Sequence, residues 1–385
     1  MLSSRQTKIE KLSHVSEGKA DASLLILILA LSLFGSLMIF SASTAYAQAH
    51  FGDAYYFAKR QAFFLAIGII SMLLIARFPA KKLSTYAFPI FAATLLLLAL
   101  VPLIGSEAGG AKRWIALGPF TFQPSEIAKT ALIILLSRCF SDPRVQDKMA
   151  KKGKAGTLYG ILIPIALFLC VCILVLLEKH LSCIIILGCI TMSMIFLAGG
   201  NGKILGTMCA VGASCVTVFA LSVEYTRRRI TIWLNPALYP RDGGWQTLQG
   251  LMAIGSGGLF GLGLGNSRLK HLYVSEPQND FIFTIVCEEL GLIGAVSILF
   301  LFALLVVRGF ALGGAQGDRF SALLGTGLTV KLAVQVLLNI AVITNALPNT
   351  GISLPFFSYG GSSLVMLFAE MGILLSLSRG AHIKP

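Results

Sequence analysis

Asp280 is the residue whose position most suggests chemistry, because it directly precedes the apolar run Phe281-Ile282-Phe283. A carboxylate at this point could cap a helix by accepting backbone N–H bonds, which would lower its pKa. It could also lie at the mouth of an outward cavity and accept a proton from a substrate hydroxyl. The two roles are compatible, and the residues alone favour the cap.

Other ionisable residues lie at or inside apolar runs, where charge is expensive. Glu126 and Lys129 are three residues apart and so share one helix face. They predict either a stabilising ion pair or a fixed charge pair that lines a polar cavity. Four more such residues are expected to pair across the bundle: Glu288, Glu289, Lys331 and Glu370.

Several basic residues fall in the longer polar segments. Lys112, Arg113 and the run Arg227-Arg228-Arg229 could attract phosphate groups near a membrane headgroup layer. For any single one of them, a solvated or headgroup-bound patch explains the charge equally well. The eight cysteines form no CxxC pair and lie in or beside apolar runs, which predicts small core residues rather than ligands or disulfides.

The elements that position these residues must be membrane helices. The chain has 385 residues, 56% hydrophobic and 12% charged, which excludes a water-soluble domain. About ten apolar runs are long enough to cross a bilayer. The sequence therefore predicts an all-α, polytopic membrane protein. The predicted runs are 23–43, 61–78, 85–104, 125–140, 157–177, 181–200, 203–223, 281–307, 319–345 and 356–378.

The distribution of Lys and Arg predicts the orientation, because cytoplasmic loops retain positive charge. An even number of spans with a basic N-terminal tail places both termini in the cytoplasm. The net charge of +14 then reflects topology and attraction to anionic lipids, and we expect no nucleic-acid partner. We divide the chain into a polar tail, 1–22, and one transmembrane domain, 23–385.

Two segments that this orientation places outside interrupt the helical pattern, 105–125 and 224–280. The second is a long extracytoplasmic loop between helices 7 and 8, so the active site should face outward. It contains the glycine-rich stretch 255–265, which looks too flexible for an isolated helix and which we expect to pack closely on protein. A phosphate-binding loop is the weaker reading, because no strand precedes the stretch and no Lys-Ser/Thr follows.

Four blocks in order, 110–129, 246–267, 280–291 and 347–363, resemble the SEDS family (shape, elongation, division, sporulation), whose branches are FtsW, RodA and SpoVE. The early segment with Ser41-Ala42-Ser43 and 57–61 resembles the division and sporulation branches more than the elongation branch, and we favour division.

The resemblance implies a ten-span peptidoglycan glycosyltransferase in the bacterial cytoplasmic membrane. It would polymerise lipid II into β-1,4 glycan strands at the outer face during cell division. The implied partners are a class B penicillin-binding protein, which is a single-span transpeptidase, and other division proteins. Two alternatives are a transporter that flips lipid II, since buried charges and broken helices also mark transport pathways, and a non-catalytic scaffold for the transpeptidase.

The resemblance also assigns site residues. Asp280 matches the essential aspartate of the family and would take the proton from the acceptor's GlcNAc 4-hydroxyl. The other matches are Arg113 with Trp114, Glu126 with Lys129, and Ser362 with Ser363.

The chain departs from the family at 275–279 and at 178–183. In the second segment an acidic residue of the family is absent, so a metal site that relies on it would be altered or missing. His180 could compensate, although a lone histidine in a short loop is more often polar surface. A divalent cation, Mg²⁺ or Mn²⁺, could assist the leaving group, but no ligand cluster identifies its position.

Overall fold

The computed structural model describes residues 18, 20–108, 111–118, 120–151, 154–222, 224–240 and 244–381. These residues form a helical bundle, as predicted. The helices are α1 Ala22–Phe51, α2 Tyr56–Arg77, α3 Leu83–Ile104, α4 Pro124–Ser141, α5 Pro143–Ala150, α6 Lys154–Thr157, α7 Ile163–Leu177, α8 Leu181–Leu197, α9 Gly202–Ser222, α10 Glu224–Leu234, α11 Trp245–Ser256, α12 Ile282–Gly314, α13 Arg319–Ile343 and α14 Gly361–Ser378. Shorter helical turns are Ala80–Lys82, Leu158–Leu162 and Pro236–Leu238.

A helix lies in each of the ten predicted apolar runs. Within the described residues, seven helices are long and apolar enough to cross a membrane, and Leu181–Leu197 is a shorter apolar helix. The total of ten spans stays a prediction, as does the single domain 23–385. The predicted tail falls outside the described residues except at 18 and 20–22.

The two irregular segments are more ordered than the sequence indicates. Residues 105–125 contain a small antiparallel sheet in the order β1-β2-β3, formed by Ser106–Ala108, Ala111–Leu117 and Phe120–Phe122. This sheet is an exception to the all-α prediction. The segment 224–280 is not one long loop either, because α10 and α11 occupy much of it.

Glycines let α2 and α14 approach closely. A Cβ atom at Gly68 would lie 2.3 Å from the Phe368 ring, and one at Gly372 would lie 2.7 Å from the carbonyl oxygen of Met72. Small residues permit such contacts between membrane helices, where van der Waals packing supplies much of the association energy. The helices α2 and α14 therefore pack closely against each other.

Helix α12 is broken at Gly291, whose φ of 66° and ψ of −170° interrupt the helical hydrogen bonds. The glycine-rich stretch replaces these bonds with its own backbone. Leu262 N–H donates to the Glu288 carbonyl at 3.0 Å, and Leu292 N–H donates to the Gly258 carbonyl at 2.9 Å. Polar backbone at membrane depth must find partners in protein, and this stretch provides them.

Close packing is thus found for part of 255–265, and Gly255 and Ser256 end helix α11 instead of lying in a loop. A Cβ at Gly257 would lie 2.0 Å from the Cys287 carbonyl oxygen, and one at Gly261 would lie 2.2 Å from that of Glu289. Backbone therefore meets backbone at Gly257 and Gly261, whereas nothing lies within 4 Å of a Cβ at Gly255, Gly258 or Gly265.

Two buried carboxylates attach the following segment to α12. Glu289 accepts hydrogen bonds from Lys270 Nζ at 3.0 Å and from Ser41 Oγ at 2.7 Å. Glu288 accepts from the Ser267 hydroxyl at 2.5 Å and from Arg268 N–H at 2.9 Å. The prediction that these glutamates pair across the bundle is wrong for Glu288 and only partly right for Glu289, because their main partners come from the neighbouring 265–270 segment.

Candidate active site

A cavity of about 540 Å³ lies where α2, β2, α4, α8, α13 and the segments before α12 and α14 meet. Six of the sequence-predicted residues line it, and the structure brings them together from four separate parts of the chain. They are Arg113, Trp114, Glu126, Lys129, Asp280 and Ser363. The remaining predicted residues lie elsewhere, as described below.

Asp280 is partly buried at the wall of this cavity. Helix α12 begins at Ile282 and has no side-chain cap, so the N-cap interpretation of Asp280 is wrong. Its position is instead fixed through the backbone, because Asn339 Nδ2 donates to the Asp280 carbonyl at 2.9 Å and to that of Ile352 at 2.6 Å. Because this contact uses only the backbone carbonyl of Asp280, its carboxylate remains available to the cavity.

The surroundings of Asp280 raise the pKa of its carboxyl group to about 6. Burial is the largest cause, the negative charge of Glu276 adds to it, and Arg113 opposes both. Glu276 also lines the cavity and accepts a hydrogen bond from Asn279 Nδ2 at 2.7 Å. A carboxyl group with a pKa near neutrality can both take up and release a proton, as a general base requires.

Below Asp280 the cavity reaches a buried network of charges. Lys129 Nζ contacts Glu126 Oε1 at 2.6 Å, which confirms the predicted pair, and both side chains line the cavity. Lys331 Nζ contacts Glu370 Oε1 at 2.5 Å and Glu126 Oε2 at 4.0 Å. Thr130 donates a further hydrogen bond to Glu370. The positive charges of Lys129 and Lys331 thus balance the negative charges of Glu126 and Glu370, because a buried charge needs a partner of opposite sign.

Strand β2 places Arg113 and Trp114 at the cavity. The Arg113 guanidinium is held by two carbonyls in the turn before α8, with Nε 3.2 Å from the Glu178 oxygen and Nη2 2.7 Å from that of Lys179. These bonds satisfy part of its donor set and fix its plane beside the cavity.

His180 also lines the cavity, so the expectation that it is polar surface is wrong. Its Nδ1 lies 3.4 Å from Ser125 Oγ and 3.5 Å from Gln123 Nε2. Burial lowers the pKa of His180 to about 3, and the cations Arg113 and Lys129 contribute, against the opposing charge of Glu126. The imidazole is therefore neutral at pH 7.

Nearby, the Glu178 carboxylate is buried and, among the described residues, has no hydrogen-bond partner. Burial raises the pKa of Glu178 to about 8, with Arg113 opposing. This carboxyl is therefore mostly protonated at pH 7, and it does not line the cavity.

Four predicted residues do not line the cavity. Lys112 is exposed, and its Nζ lies 3.4 Å from the Pro102 carbonyl oxygen. Arg227 and Arg228 are exposed on α10. The Ser362 hydroxyl is buried and, in the described part of the chain, has no hydrogen-bond partner.

Sequence reasoning missed Arg60, Tyr359 and Gln335 as cavity residues. It also missed Asn339, which positions Asp280. Arg60 lies within the segment 57–61 that carries part of the family resemblance, so a signal for it was present. Tyr359 lies within the block 347–363, so a signal was present for it as well, whereas Gln335 and Asn339 lie in an apolar run that gives no functional signal.

Among the described residues, protein side chains alone do not supply enough ligands to hold a divalent cation. Within the described ranges, no three His, Cys, Asp or Glu side chains come together to hold a metal ion. Glu276 and Asp280 are the carboxylates nearest to the expected chemistry, and a closed site would need further ligands. We therefore assign no step to a metal ion.

The chain is similar to a known protein family and to several of its members. Residues 21–383 match the family profile described as a cell cycle protein, that of FtsW, RodA and SpoVE. The chain is 37% identical over 361 residues to stage V sporulation protein E of Bacillus subtilis, covering 93% of this chain and 97% of that protein. It is 38% identical over 361 residues to the probable peptidoglycan glycosyltransferase FtsW of Geobacter sulfurreducens, covering 93% and 95%.

Solved structures agree in fold. One belongs to a study of the structural coordination of polymerization and crosslinking by a peptidoglycan synthase complex, with a TM-score of 0.76, 28% identity and coverage of 94% of this chain and 98% of that one. Another is the rod shape determining protein RodA of Thermus thermophilus, with a TM-score of 0.69, 28% identity and coverage of 97% and 100%. The likeness therefore extends over nearly the whole chain.

Proposed function

Because the chain belongs to the SEDS family of FtsW, RodA and SpoVE, as its sequence predicted, we propose that it is a peptidoglycan glycosyltransferase that polymerises lipid II. Curated relatives carry that enzyme name, and the apolar helices make the chain a multi-pass membrane protein. The observation that carries the proposal is Asp280, a carboxylate with a pKa of about 6 in a polar cavity that cationic residues also line.

In the proposed reaction, Asp280 accepts the proton of the GlcNAc 4-hydroxyl of the acceptor as that oxygen attacks C1 of the donor's MurNAc. The bond between C1 and the pyrophosphate oxygen breaks on the opposite face, so the configuration inverts to a β-1,4 link. With a pKa of about 6, Asp280 is mostly ionised at pH 7 and still basic enough to share the proton in the transition state.

The departing pyrophosphate gains negative charge as the bond breaks, and fixed cations stabilise such charge best when they are oriented beforehand. Arg113 is held by two carbonyls before any substrate arrives, and Lys129 is held by Glu126. We assign Arg113 the main contact with the leaving group, because its fork of donors suits phosphate oxygens. Trp114 and Ser363 complete the cavity wall and would contact the sugars.

Lys112, Arg227 and Arg228 lie outside the cavity, and we assign them to the membrane surface, where basic residues attract anionic headgroups.

We place the cavity on the outer side of the cytoplasmic membrane, with both termini in the cytoplasm, following the positive-inside distribution. The solved peptidoglycan synthase complex supports a paired class B penicillin-binding protein as transpeptidase. Lipid II and other division proteins are the remaining proposed partners.

A transporter that flips lipid II is the second candidate, because the break of α12 at Gly291 and the buried charges also occur in transport pathways. A scaffold that only recruits the transpeptidase is the third. An enzyme, a transporter and a scaffold differ in what they do to labelled lipid II in a sealed vesicle.

The test uses the protein co-purified with its transpeptidase and reconstituted with labelled lipid II. We expect glycan polymer from the parent and a loss of about 10² to 10⁴ fold in rate for Asp280→Asn, the range for a general base. The matched control is Asp147→Asn, the same change at an exposed position on α5. Polymer from Asp280→Asn at the parental rate would contradict the base assignment, and translocation without polymer would favour the transporter.

A further inference from the structure

We propose that one ordered water molecule is bound in a small chamber next to the active-site cavity, where it bridges the ammonium group of Lys331 and the carboxylate of Glu126. The chamber has a volume of about 20 Å³ and lies between α4, α13, the segment before α14 and α14 itself. Four residues line both the chamber and the cavity, so the two spaces are neighbours: Glu126, Gln335, Ser353 and Ser363. This inference goes beyond the proposed function and does not depend on it.

The distance between the two charged groups indicates a bridge and not a direct bond. Lys331 Nζ lies 4.0 Å from Glu126 Oε2, which is beyond the range of a hydrogen bond. A lysine has three N–H donors, and Lys331 gives one of them to Glu370 Oε1 at 2.5 Å. Lys129 donates at 2.6 Å to the other carboxylate oxygen of Glu126, Oε1. A water that accepts from Lys331 and donates to Glu126 Oε2, with bonds of about 2.8 Å, spans the remaining gap.

The size and the lining of the chamber fit this ligand. A buried water needs about 10 to 15 Å³ of space and two to four polar partners. The chamber, at about 20 Å³, is therefore large enough for one water and too small for a phosphate or a sugar. Ser358 and Gln335 add polar groups to its wall. A cation would face the ammonium group of Lys331 and an anion the carboxylate of Glu126, so a neutral molecule that both donates and accepts fits best.

The bridging water joins two buried ion pairs into one network. The pair of Lys129 and Glu126 lies on α4, and the pair of Lys331 and Glu370 connects α13 to α14. Glu126 is then held at both oxygens, at Oε1 by Lys129 and at Oε2 by the water, so its carboxylate cannot turn without breaking a bond. Water that satisfies buried groups in this way belongs to the structure and is costly to remove.

Radiolytic labelling of the parent protein in nanodiscs, followed by mass spectrometry, tests whether the chamber holds water. X-rays convert ordered water into hydroxyl radicals, which modify the side chains beside it even where those are buried. Leu364 and Leu367 line the chamber but not the cavity and are 4% and 8% exposed. Leu374 and Leu377 on the same helix are 1% and 4% exposed and line neither space. We expect Leu364 and Leu367 to be labelled several-fold faster than these matched leucines.

A variant tests whether Lys331 holds the water. The double change Lys331→Met with Glu370→Leu removes the charged donor without leaving a carboxylate unpaired, and a less polar chamber retains water poorly. Labelling of the two chamber leucines should fall several-fold towards the level of the matched leucines. The control is Lys81→Met, which removes an exposed lysine from a surface ion pair and should keep the parental labelling.

Two labelling results would overturn the proposal. Equal labelling of all four leucines in the parent would show that the chamber is dry. Unchanged labelling of Leu364 and Leu367 in the double variant would show that Lys331 does not hold the water. The comparison within the parent needs no variant, so it decides the first point even where the double variant does not fold.

A structure of the parent at a resolution that shows ordered waters gives a third, direct test. We expect one density peak within about 3.2 Å of both Lys331 Nζ and Glu126 Oε2. Direct contact of these two atoms at hydrogen-bond distance would contradict the bridge. None of these measurements depends on polymerisation, so the proposed reaction and the water site succeed or fail separately.

Discussion

The side-chain amide of Asn339 on α13 holds the backbone carbonyl of Asp280 at 2.9 Å, although 59 residues separate them in sequence. The same amide nitrogen donates to the Ile352 carbonyl at 2.6 Å, and Asn339 is fully buried. One amide thus joins the segment before α12 to the segment before α14. The proposed base is positioned by its backbone, which leaves the carboxylate for the substrate.

We expect Asn339→Asp to reduce kcat about 10- to 100-fold with little change in KM for lipid II. The variant keeps the shape of the side chain but turns the donor into an acceptor that faces two carbonyl oxygens. A shift of about 1 Å in a catalytic group costs up to about 100-fold in rate. Steady-state polymerisation measures the effect, and Asn235→Asp, the same change at an exposed site, is the control. Parental kcat in Asn339→Asp would show that this bond does not position the base.

The pKa of Asp280 predicts the acid limb of the pH profile. The carboxylate must be ionised to accept a proton, so polymerisation should fall as pH decreases through about 6 and reach a plateau above pH 7. Because the charge of Glu276 helps to raise the pKa of Asp280, Glu276→Gln should move this limb to lower pH. Profiles of kcat/KM test both statements, with Glu224→Gln on the exposed face of α10 as the control. If the acid limb of Glu276→Gln stays at the parental pH, the charge of Glu276 does not raise the pKa of Asp280.

The buried pair of Lys331 and Glu370 should be important for stability. Their side chains are only 3% and 2% exposed, so Lys331→Met would leave Glu370 charged in an apolar environment. Breaking a buried pair destabilises by about 3 to 5 kcal/mol. The exposed pair of Lys81 and Asp318, with side chains 69% and 34% exposed, is the control, and Lys81→Met should cost about 1 kcal/mol or less.

Thermal unfolding in detergent compares these two variants. The double variant Lys331→Met with Glu370→Leu should recover part of the loss, because no charge is then left unpaired. Equal unfolding temperatures for Lys331→Met and Lys81→Met would mean that the buried network does not stabilise the bundle.

Gly291 should not tolerate a side chain. Its φ of 66° is unfavourable for other residues, and an added Cβ would lie 2.3 Å from the Gly261 nitrogen. We expect Gly291→Ala to destabilise by at least about 1 to 3 kcal/mol and to separate the glycine-rich stretch from α12. Gly206→Ala is the control, because nothing lies within 4 Å of that position on helix α9, and alanine there should stabilise slightly. Thermal unfolding measures both, and similar values would contradict the close backbone contact.

The fold class was predictable because a segment that crosses lipid must be helical, to satisfy its own backbone hydrogen bonds, and apolar along its length. Each such helix therefore leaves a long apolar run in the sequence. The ion pair of Glu126 and Lys129 was predictable for a similarly local reason, since residues three apart share a helix face. The small sheet at 106–122 was missed because its strands are only three to seven residues long and pair with one another rather than with a core.

Asp280 shows where local reasoning fails. The pattern before an apolar run indicates a cap, yet the helix begins at Ile282 and leaves the carboxylate for the cavity. Glu288 and Glu289 fail in the same way, because their partners are set by the fold of the 265–270 segment and not by helix periodicity.

Residue order and composition were enough to predict a membrane bundle and its family, since hydrophobic periods and contiguous motifs are local properties of the chain. Asp280 became the proposed base only through the family resemblance, because its local pattern indicates a helix cap. The cavity required the folded chain, because Arg60, Arg113, His180, Asp280 and Ser363 come from distant segments that only packing brings together. Which cations face the cavity and which lie outside it, as Lys112 and Arg227 do, depends on those long-range contacts, and no local spacing encodes them.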